Sequence, residues 1–565
     1  MKAGFWVRFA ALWLDAVVVY GCVSVIEKIC SLFNFYVPFE LTFFIFAPAY
    51  LTIFTWLRGQ TPGKMLCGLT VIRKDDRPCG FFRSFLRETL GKLLSGIIFS
   101  FGFLWAGLTR SKRGWHDYLA QTKVIGDSSL SIRRKFILGG ILLIIGAYVC
   151  LKGLEFDALY NEAERMTLAH DVTTRYANRD PSTLREVSSL READQKELSD
   201  WLDRYGNSPI NYAIDVARKH RLTIFGEIHG EKDYLLFLNE IIPGLYHHAG
   251  VTCLALEICV AEDNQRLEKL VTGDQFDRDL ALQIARNTTV EMWGIKEQWD
   301  VLETVWKLNQ SIPPGEKKMR VVGIDTKWDG MSLALLGAGG GNDTVHGPIW
   351  EKLRILRCGL SIFRILKRDE LMASNVEREI VRKGERGVVW VGWNHDFINY
   401  RQPVVWNGKL TGEWDRMGFK LHQKYGDEVF QIRLHGKDAS PSAYYVEYHG
   451  AQPQFSDYIE HALKMWNKGP VGFDVEESPL ASVRDSNTDY YHFQPRVSFS
   501  DVASGYIYLK PLKDLVPCTW INGYVTPEMF IRNKPVYELA VGHSLRNANE
   551  ADSELYDFVK TNLSK

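Results

Sequence analysis

The distribution of apolar positions divides the chain into two textures. Up to residue 153, long apolar runs are separated by short polar segments; beyond it, apolar residues come in short blocks and helical stripes. Phe5–Ile26 and Phe39–Leu57 are each close to the roughly 20 residues a helix needs to cross a hydrocarbon core, and Pro48 is a kink that such a helix tolerates. Leu93–Leu108 and Phe136–Leu151 are shorter, and are expected to span with snorkelling flanks or to dip into the membrane as re-entrant segments. Residues 1–153 are therefore predicted to form an α-helical membrane module of three to four apolar segments, integral to the bilayer and multi-pass. Residues 154–220 are charged with helical spacing. Within them, Ser182 to Gly206 reads as an amphipathic helix with Ser182 as N-cap, a stalk or a packing helix.

From Arg221 the period changes. Apolar blocks at 221–227, 251–258, 319–325, 387–393, 428–435 and 504–511 are strand candidates, and the stretch from Lys232 to His248 carries an apolar helical face. Continuous apolar strands are what a sheet buried on both faces requires. Strands alternating with helices predict an α/β domain over 221–565 with a mainly parallel sheet flanked by helices. The long gap at 326–386 predicts a helical insertion, with a flexible glycine-rich loop at Gly337 to Asp343.

Charge refines this picture. With 68 basic and 68 acidic residues the chain is formally neutral, which argues against a nucleic-acid partner. Segments 58–92 and 110–135 are basic while 29–38 carries no charge, so the positive-inside rule places both basic segments in the cytoplasm. The third run is then a re-entrant or hairpin segment, the fourth exits, and the soluble domain is expected outside the cytoplasm. The nine cysteines show no CxxC pairing, so neither a zinc ribbon nor a disulfide framework is indicated, and Cys253, Cys259, Cys358 and Cys518 are expected as buried free thiols. No cleavable signal peptide is expected, since the first apolar stretch is long, contains Asp15 and lacks a small-residue cleavage site.

Within that first run, Arg8 and Asp15 are seven residues apart and share one helix face, as an interhelical pair or as a polar site in the membrane. The stretches Arg8 to Asp15, Gly59 to Val71 and Arg113 to Ile125 resemble the RDD membrane family, whose one Arg and two Asp match Arg8, Asp15 and Asp117. The resemblance implies a membrane architecture and, for some members, transport.

In the α/β part, titratable residues stand at successive strand ends: Glu227 and His229, Glu257, Asp325, His395 and His435. Open α/β sheets bind ligands outside the carboxyl ends of their strands. Imidazoles there can act as general acids or bases, and His with Glu also satisfies a transition-metal site by ligand type, although no HExxH spacing is present. The absence of GxSxG argues against a serine hydrolase. The motif GEIHG at Gly226 to Gly230, with Glu257, RDELMASN at Arg368 to Asn375 and VVWVGWNH at Val388 to His395, resembles the superfamily of erythromycin-esterase-like, ChaN-like and Tiki proteins. The resemblance implies His229 as a water-activating base, Glu227 and Glu257 as orienting groups, Arg368 as anion support and His395 as a second acid or base. The Gly392-Trp393-Asn394-His395 stretch lacks the extra histidine of the esterase branch and is nearer the Tiki and ChaN side, so the resemblance leaves an esterase, a metal-dependent peptidase and a haem protein open.

Three functions follow as expectations. The first is a membrane-anchored hydrolase acting on a small-molecule or peptide substrate. The second is a haem- or divalent-metal-binding protein without catalysis, held through His229 and His395, with Trp293, Trp328 and Trp393 lining a planar pocket. The third is a transporter or sensor with a regulatory α/β domain.

Overall fold

In the computed structural model, residues 3–32, 39–97, 101–126, 153–168, 172–288, 291–327, 361, 363–406, 409–436 and 455–560 are described, and the chain forms two compact units, Met1–Glu155 and Phe156–Lys565. In the first unit, helices Phe5–Leu32 and Phe39–Arg58 lead into the short helix Pro62–Leu66, capped by Thr61. Leu69–Arg73 pairs antiparallel with Thr122–Gly126. Between those strands, Phe81–Leu86 passes through a π-helical turn at Arg87–Gly91 into Lys92–Ile97. Such turns re-aim side chains at functional positions, and this one buries Arg87 and Glu88.

Among the described residues, no helix is long and apolar enough to cross a membrane. The third apolar run divides into Lys92–Ile97 and Phe101–Leu108. Eight helical residues rise only about 12 Å. The two pieces meet closely, since a Cβ on Gly102 would stand 2.6 Å from Ser95 Cα. The fourth run, Phe136–Leu151, lies outside the described residues, as do Cys358, Trp328 and the loop at Gly337 to Asp343.

The second unit is built on a seven-stranded sheet: β1 (Leu222–Glu227), β2 (Cys253–Val260), β3 (Arg320–Asp325), β4 (Gly387–Gly392), β5 (Val429–Leu434), β6 (Val471–Asp474) and β7 (Gly505–Tyr508). Their spatial order is β6-β7-β5-β1-β4-β2-β3. Only β6 runs antiparallel, against β7; every other neighbour is parallel. All but β6 occupy runs predicted from the sequence.

The strands are buried on both faces because side chains alternate across the sheet. Phe225, Leu254, Val388 and Trp390 face helices α1 (Lys232–Ala249) and α2 (Lys296–Ser311) through Leu238, Ile241 and Leu302. Ile224, Ala255, Val389 and Val391 face α3 (Arg368–Val376) and α4 (Met417–Tyr425) through Met372, Val376 and Leu421. Each fully buried aliphatic side chain stabilises by about 1.5–3 kcal/mol, so this layering holds the strand ends rigidly in register. The expected insertion near 326–386 is described only from its end, which includes α3.

The charged segment ahead of the sheet packs into the unit: helix Glu192–Tyr205 buries Leu198 and Leu202 in a cluster with Ile459 and Phe473. Ser182 is not its cap. Asp180 caps a 3-10 turn at Pro181–Thr183, accepting from the Ser182 N–H at 2.9 Å, and the long helix begins ten residues beyond Ser182. Cys253, Cys259 and Cys518 are buried free thiols.

Candidate functional site

The parallel strands deliver their carboxyl ends to one edge of the sheet. Glu227 is the last residue of β1, and His229 follows two residues later with its Nδ1 at 2.8 Å from Glu227 Oε1. The other imidazole nitrogen, Nε2, stands 3.9 Å from Glu257 Oε2 on β2. The ring fits there because β4 ends in glycine: a Cβ on Gly392 would lie 2.6 Å from Nε2. The Gly392 N–H instead donates to Glu257 Oε2 at 2.6 Å, fixing that carboxylate. Trp293 meets His229 edge-on, with ring centroids 4.8 Å apart.

Arg368, at the start of α3, joins the remaining strands. Its Nη2 donates to Glu257 Oε1 at 2.6 Å and to Asp325 Oδ2 at 2.7 Å, and its Nε to Asp325 Oδ2 at 3.0 Å. Its Nη1 lies 3.0 Å from His395 Nε2. A guanidinium has five N–H donors and no acceptor. Nε2 of His395 must therefore accept, its proton sits on Nδ1, and Nδ1 donates to Asp369 Oδ1 at 2.7 Å. Four of the five Arg368 donors are engaged, which leaves one N–H on Nη1 for a substrate oxygen. His229 and Arg368 keep about 20% and 25% of their side chains exposed, so the site is reachable from solvent.

The charge balance explains the electrostatics. Glu227, Glu257, Asp325 and Asp369 outnumber the guanidinium groups of Arg368 and Arg416, so the cluster favours an added proton. Burial lowers the His229 imidazole, but the hydrogen bond to Glu227 and the charge of Glu257 outweigh it, and His229 titrates above its ordinary range. Burial pushes Glu227 up, against the hydrogen bond to His229. Burial also pushes Glu257 up, yet His395, Arg368 and His229 bring it down to about 2. Asp369 is held well below the carboxylate range: burial opposes this, and His395 and Arg416 overcome it.

Of the residues proposed from sequence, Glu227, His229, Glu257, Arg368 and His395 come together. Both nitrogens of His395, expected as a second acid or base or as a cofactor ligand, are engaged here by Arg368 and Asp369. His435 also stays apart: it is buried, and its ring bonds Tyr506 Oη at 2.7 Å and Glu460 Oε1 at 3.3 Å. Trp393 is core, stacked by Arg433 at 4.6 Å. Among the described residues, no group of three or more His, Cys, Asp or Glu side chains is disposed to hold a metal ion. Arg368 stands where a cation would neutralise Glu257 and Asp325. For haem or a divalent cation, His229 Nε2 is the remaining candidate ligand.

In the first unit, Arg8 and Asp15 do not pair with each other. Arg8 Nη1 donates to Asp117 Oδ2 at 2.6 Å. Asp15 accepts from the Gly63 N–H at 2.8 Å, Tyr50 Oη at 3.1 Å and Thr61 Oγ1 at 2.5 Å. The two residues share a helix face, but they serve different loops.

Residues 2–121 match the RDD family model. YteJ, an uncharacterized membrane protein of Bacillus subtilis, is 32% identical over 136 residues, covering 22% of this chain and 81% of YteJ. The chain belongs to the RDD family. A second Bacillus subtilis relative, the uncharacterized YckC, is 29% identical over 133 residues and is covered to 83%. Solved structures similar to the chain include a Bacillus cereus protein, with TM-score 0.38 and 12% identity over 58% of this chain and 99% of that one. A mutant of the erythromycin esterase EreC in its open conformation has TM-score 0.35 and 13% identity, over 54% of this chain and 93% of EreC. ChaN of Campylobacter jejuni, with cofacial haem, has TM-score 0.24 and 12% identity, over 40% of this chain and 86% of ChaN. At these TM-scores none of the three assigns a role to a residue here, and the site stands on its own geometry.

The RDD match spans Arg8, Asp15 and Asp117 but no residue of the α/β site. Sequence reading also missed Asp369 and Arg416 there. Asp369 lies inside the RDELMASN stretch, next to Arg368, and its adjacency was the available signal. Arg416, whose Nη1 donates to Asp369 Oδ2 at 3.1 Å and whose Nε donates to Gln402 at 2.6 Å, had no local signal; only the fold brings it in.

Proposed function

We propose that the α/β unit is a hydrolase that activates water on His229, and that the RDD unit associates the chain with a membrane. The observation that carries the catalytic reading is the pairing of an anchored imidazole with a fixed guanidinium. Glu227 holds Nδ1 of His229, and Nε2 lies against the Gly392 backbone 3.9 Å from Glu257, the carboxylate that also binds Arg368, whose Nη1 keeps one free N–H. In the proposed reaction a water oxygen attacks a substrate carbonyl carbon as its proton passes to His229 Nε2. The oxyanion so formed accepts from Arg368 Nη1. Collapse breaks the carbon–oxygen or carbon–nitrogen bond, and the leaving group takes the proton back from the imidazolium. Asp325 and Glu257 orient Arg368, and His395, held by Asp369, buttresses it from the other side. The membrane reading is supported by the RDD match and by the exposed apolar side chains of the first unit, Trp6, Trp13 and Leu108 among them.

The test is hydrolysis of a panel of activated esters and amides, with and without divalent metal, by the full chain and by His229→Ala. The variant is expected to lose turnover by about 10²–10⁴-fold, the usual worth of a general base, with its circular dichroism unchanged. Equal turnover by both proteins would overturn the reading. A haemin titration run beside it separates the alternative: a saturable absorption shift lost in His229→Ala would move the site from hydrolysis to haem binding.

A further inference from the structure

We infer that the RDD unit binds a monoanionic amphiphile, an acyl lipid bearing a single negative charge, in a cavity of its own. The cavity measures about 300 Å³, roughly the share of ten water molecules in the liquid. Phe5, Phe9, Leu12, Phe103 and Leu104 give it apolar lining. Arg8, Lys64, Arg87 and Lys92 line it too, with His116 and with Asp15 as the carboxylate on the lining.

The charges do not cancel. Asp117 takes Arg8 at 2.6 Å and Arg87 at 3.0 Å, and Glu88 takes Lys64 at 3.0 Å, Lys92 at 2.6 Å and also Arg87. Both carboxylates are fully buried behind the lining. Asp15 is satisfied by neutral donors, Tyr50, Thr61 and the Gly63 N–H. Four cations thus face three carboxylates in a buried cluster, an excess of one positive charge. Buried charge is costly unless it is balanced, and a ligand with one negative charge restores the balance. The rim selects what is attached to that charge: Phe9 and Leu104 are partly exposed at the cavity, and Trp6, Trp13 and Leu108 are exposed on the same two helices. A head group seated among the cations would send its chain along this apolar rim. A fatty carboxylate and a monoanionic phospholipid share this chemistry.

The experiment uses the full chain in phosphatidylcholine nanodiscs with a photoactivatable palmitate, and the labelled peptides are sequenced. Oleate, phosphatidylglycerol and oleyl alcohol are the competitors. Label is expected on peptides containing Phe9, Leu12 or Leu104. Either monoanionic competitor should displace it at least ten-fold better than oleyl alcohol, and which of the two does so distinguishes a free fatty acid from a lipid head group. Ala106→Phe fills the cavity without altering its charge and is expected to remove the label; Ala11→Leu serves where the first variant does not fold. Label elsewhere, equal displacement by oleyl alcohol, displacement by neither anion, or undiminished labelling of a folded, filled variant would each overturn the assignment.

Discussion

Glu257 shows how much one side chain carries. It accepts from the Gly392 N–H and from Arg368, and it places a negative charge 3.9 Å from the nitrogen proposed as the base. That charge stabilises the imidazolium, so His229 titrates above its ordinary range and loses its basic form as the pH falls. Glu257→Gln removes the charge and lowers the His229 value. The acid limb of kcat/KM should then move to lower pH by about one unit or more, the usual effect of a neighbouring opposite charge. Magnitudes decide which group that limb reports. Glu257 itself titrates near 2 and lies outside it. Asp396, which burial pushes up to about 6 against the opposing Arg433, falls inside it, but it is not the group that Glu257 faces. An unmoved limb would assign it to Asp396, and a rise would remove His229 as the base. The same shift is a stability term with a definite sign: stability from a raised imidazole is fully present below its unfolded value of about 6.5 and is lost as the pH rises through the folded value.

At the scale of elements, the strands that hold the site were legible because a parallel strand buried on both faces must be a continuous apolar block, and Glu227 and Asp325 close two of those blocks while Glu257 stands near the end of a third. The edge was not legible. β6 is four residues long, VGFD, too short to show a period, and its reality depends on partners remote in sequence. Gly472 on β6 exchanges hydrogen bonds with Asn207 at 2.8 and 3.0 Å, and Tyr212 Oη donates to Asp474 at 2.6 Å. The same remoteness hid Arg416. Gly472 has no room for a side chain, since a Cβ there would meet three atoms of Tyr212 at 2.6–2.7 Å. Tyr212 is buried between helix and sheet and cannot swing aside. Gly472→Val should cost about 1–3 kcal/mol by overpacking, seen as a lower urea midpoint with an unchanged slope. The hydrolytic rate of the folded protein should not change, because β7 and β5 separate this edge from β1. An unchanged midpoint would mean that the edge strand is not fixed by this contact.

At the scale of the whole molecule, the second compact unit starts at Phe156, whereas the sequence announces an α/β pattern only from Arg221. Its polar lead-in has no apolar block to announce a role, yet it is tied into the fold. Met166 is buried in the cluster beneath β1 and β4. Tyr176 Oη accepts from the Arg401 N–H at 3.1 Å, and Arg175 Nε and Arg179 Nη2 reach Asp501 Oδ1 at 2.7 and 3.1 Å. Among the described residues each unit has hydrophobic clusters of its own, and a unit with its own core can fold alone. A fragment of residues 156–565 should therefore unfold cooperatively within a few degrees of the corresponding transition in the full chain, and should keep the His229-dependent rate. A fragment beginning at residue 190 loses Met166, Tyr176, Arg175 and Arg179. It leaves Asp501 buried without either arginine, and removing one partner of a buried pair costs about 3–5 kcal/mol. Calorimetry of the two fragments beside the full chain decides the matter. Equal transitions for both would show that the lead-in is only a tether. A clear loss in the shorter fragment alone would place the boundary of the α/β unit ahead of its first strand, where the ion pairs and the buried methionine put it.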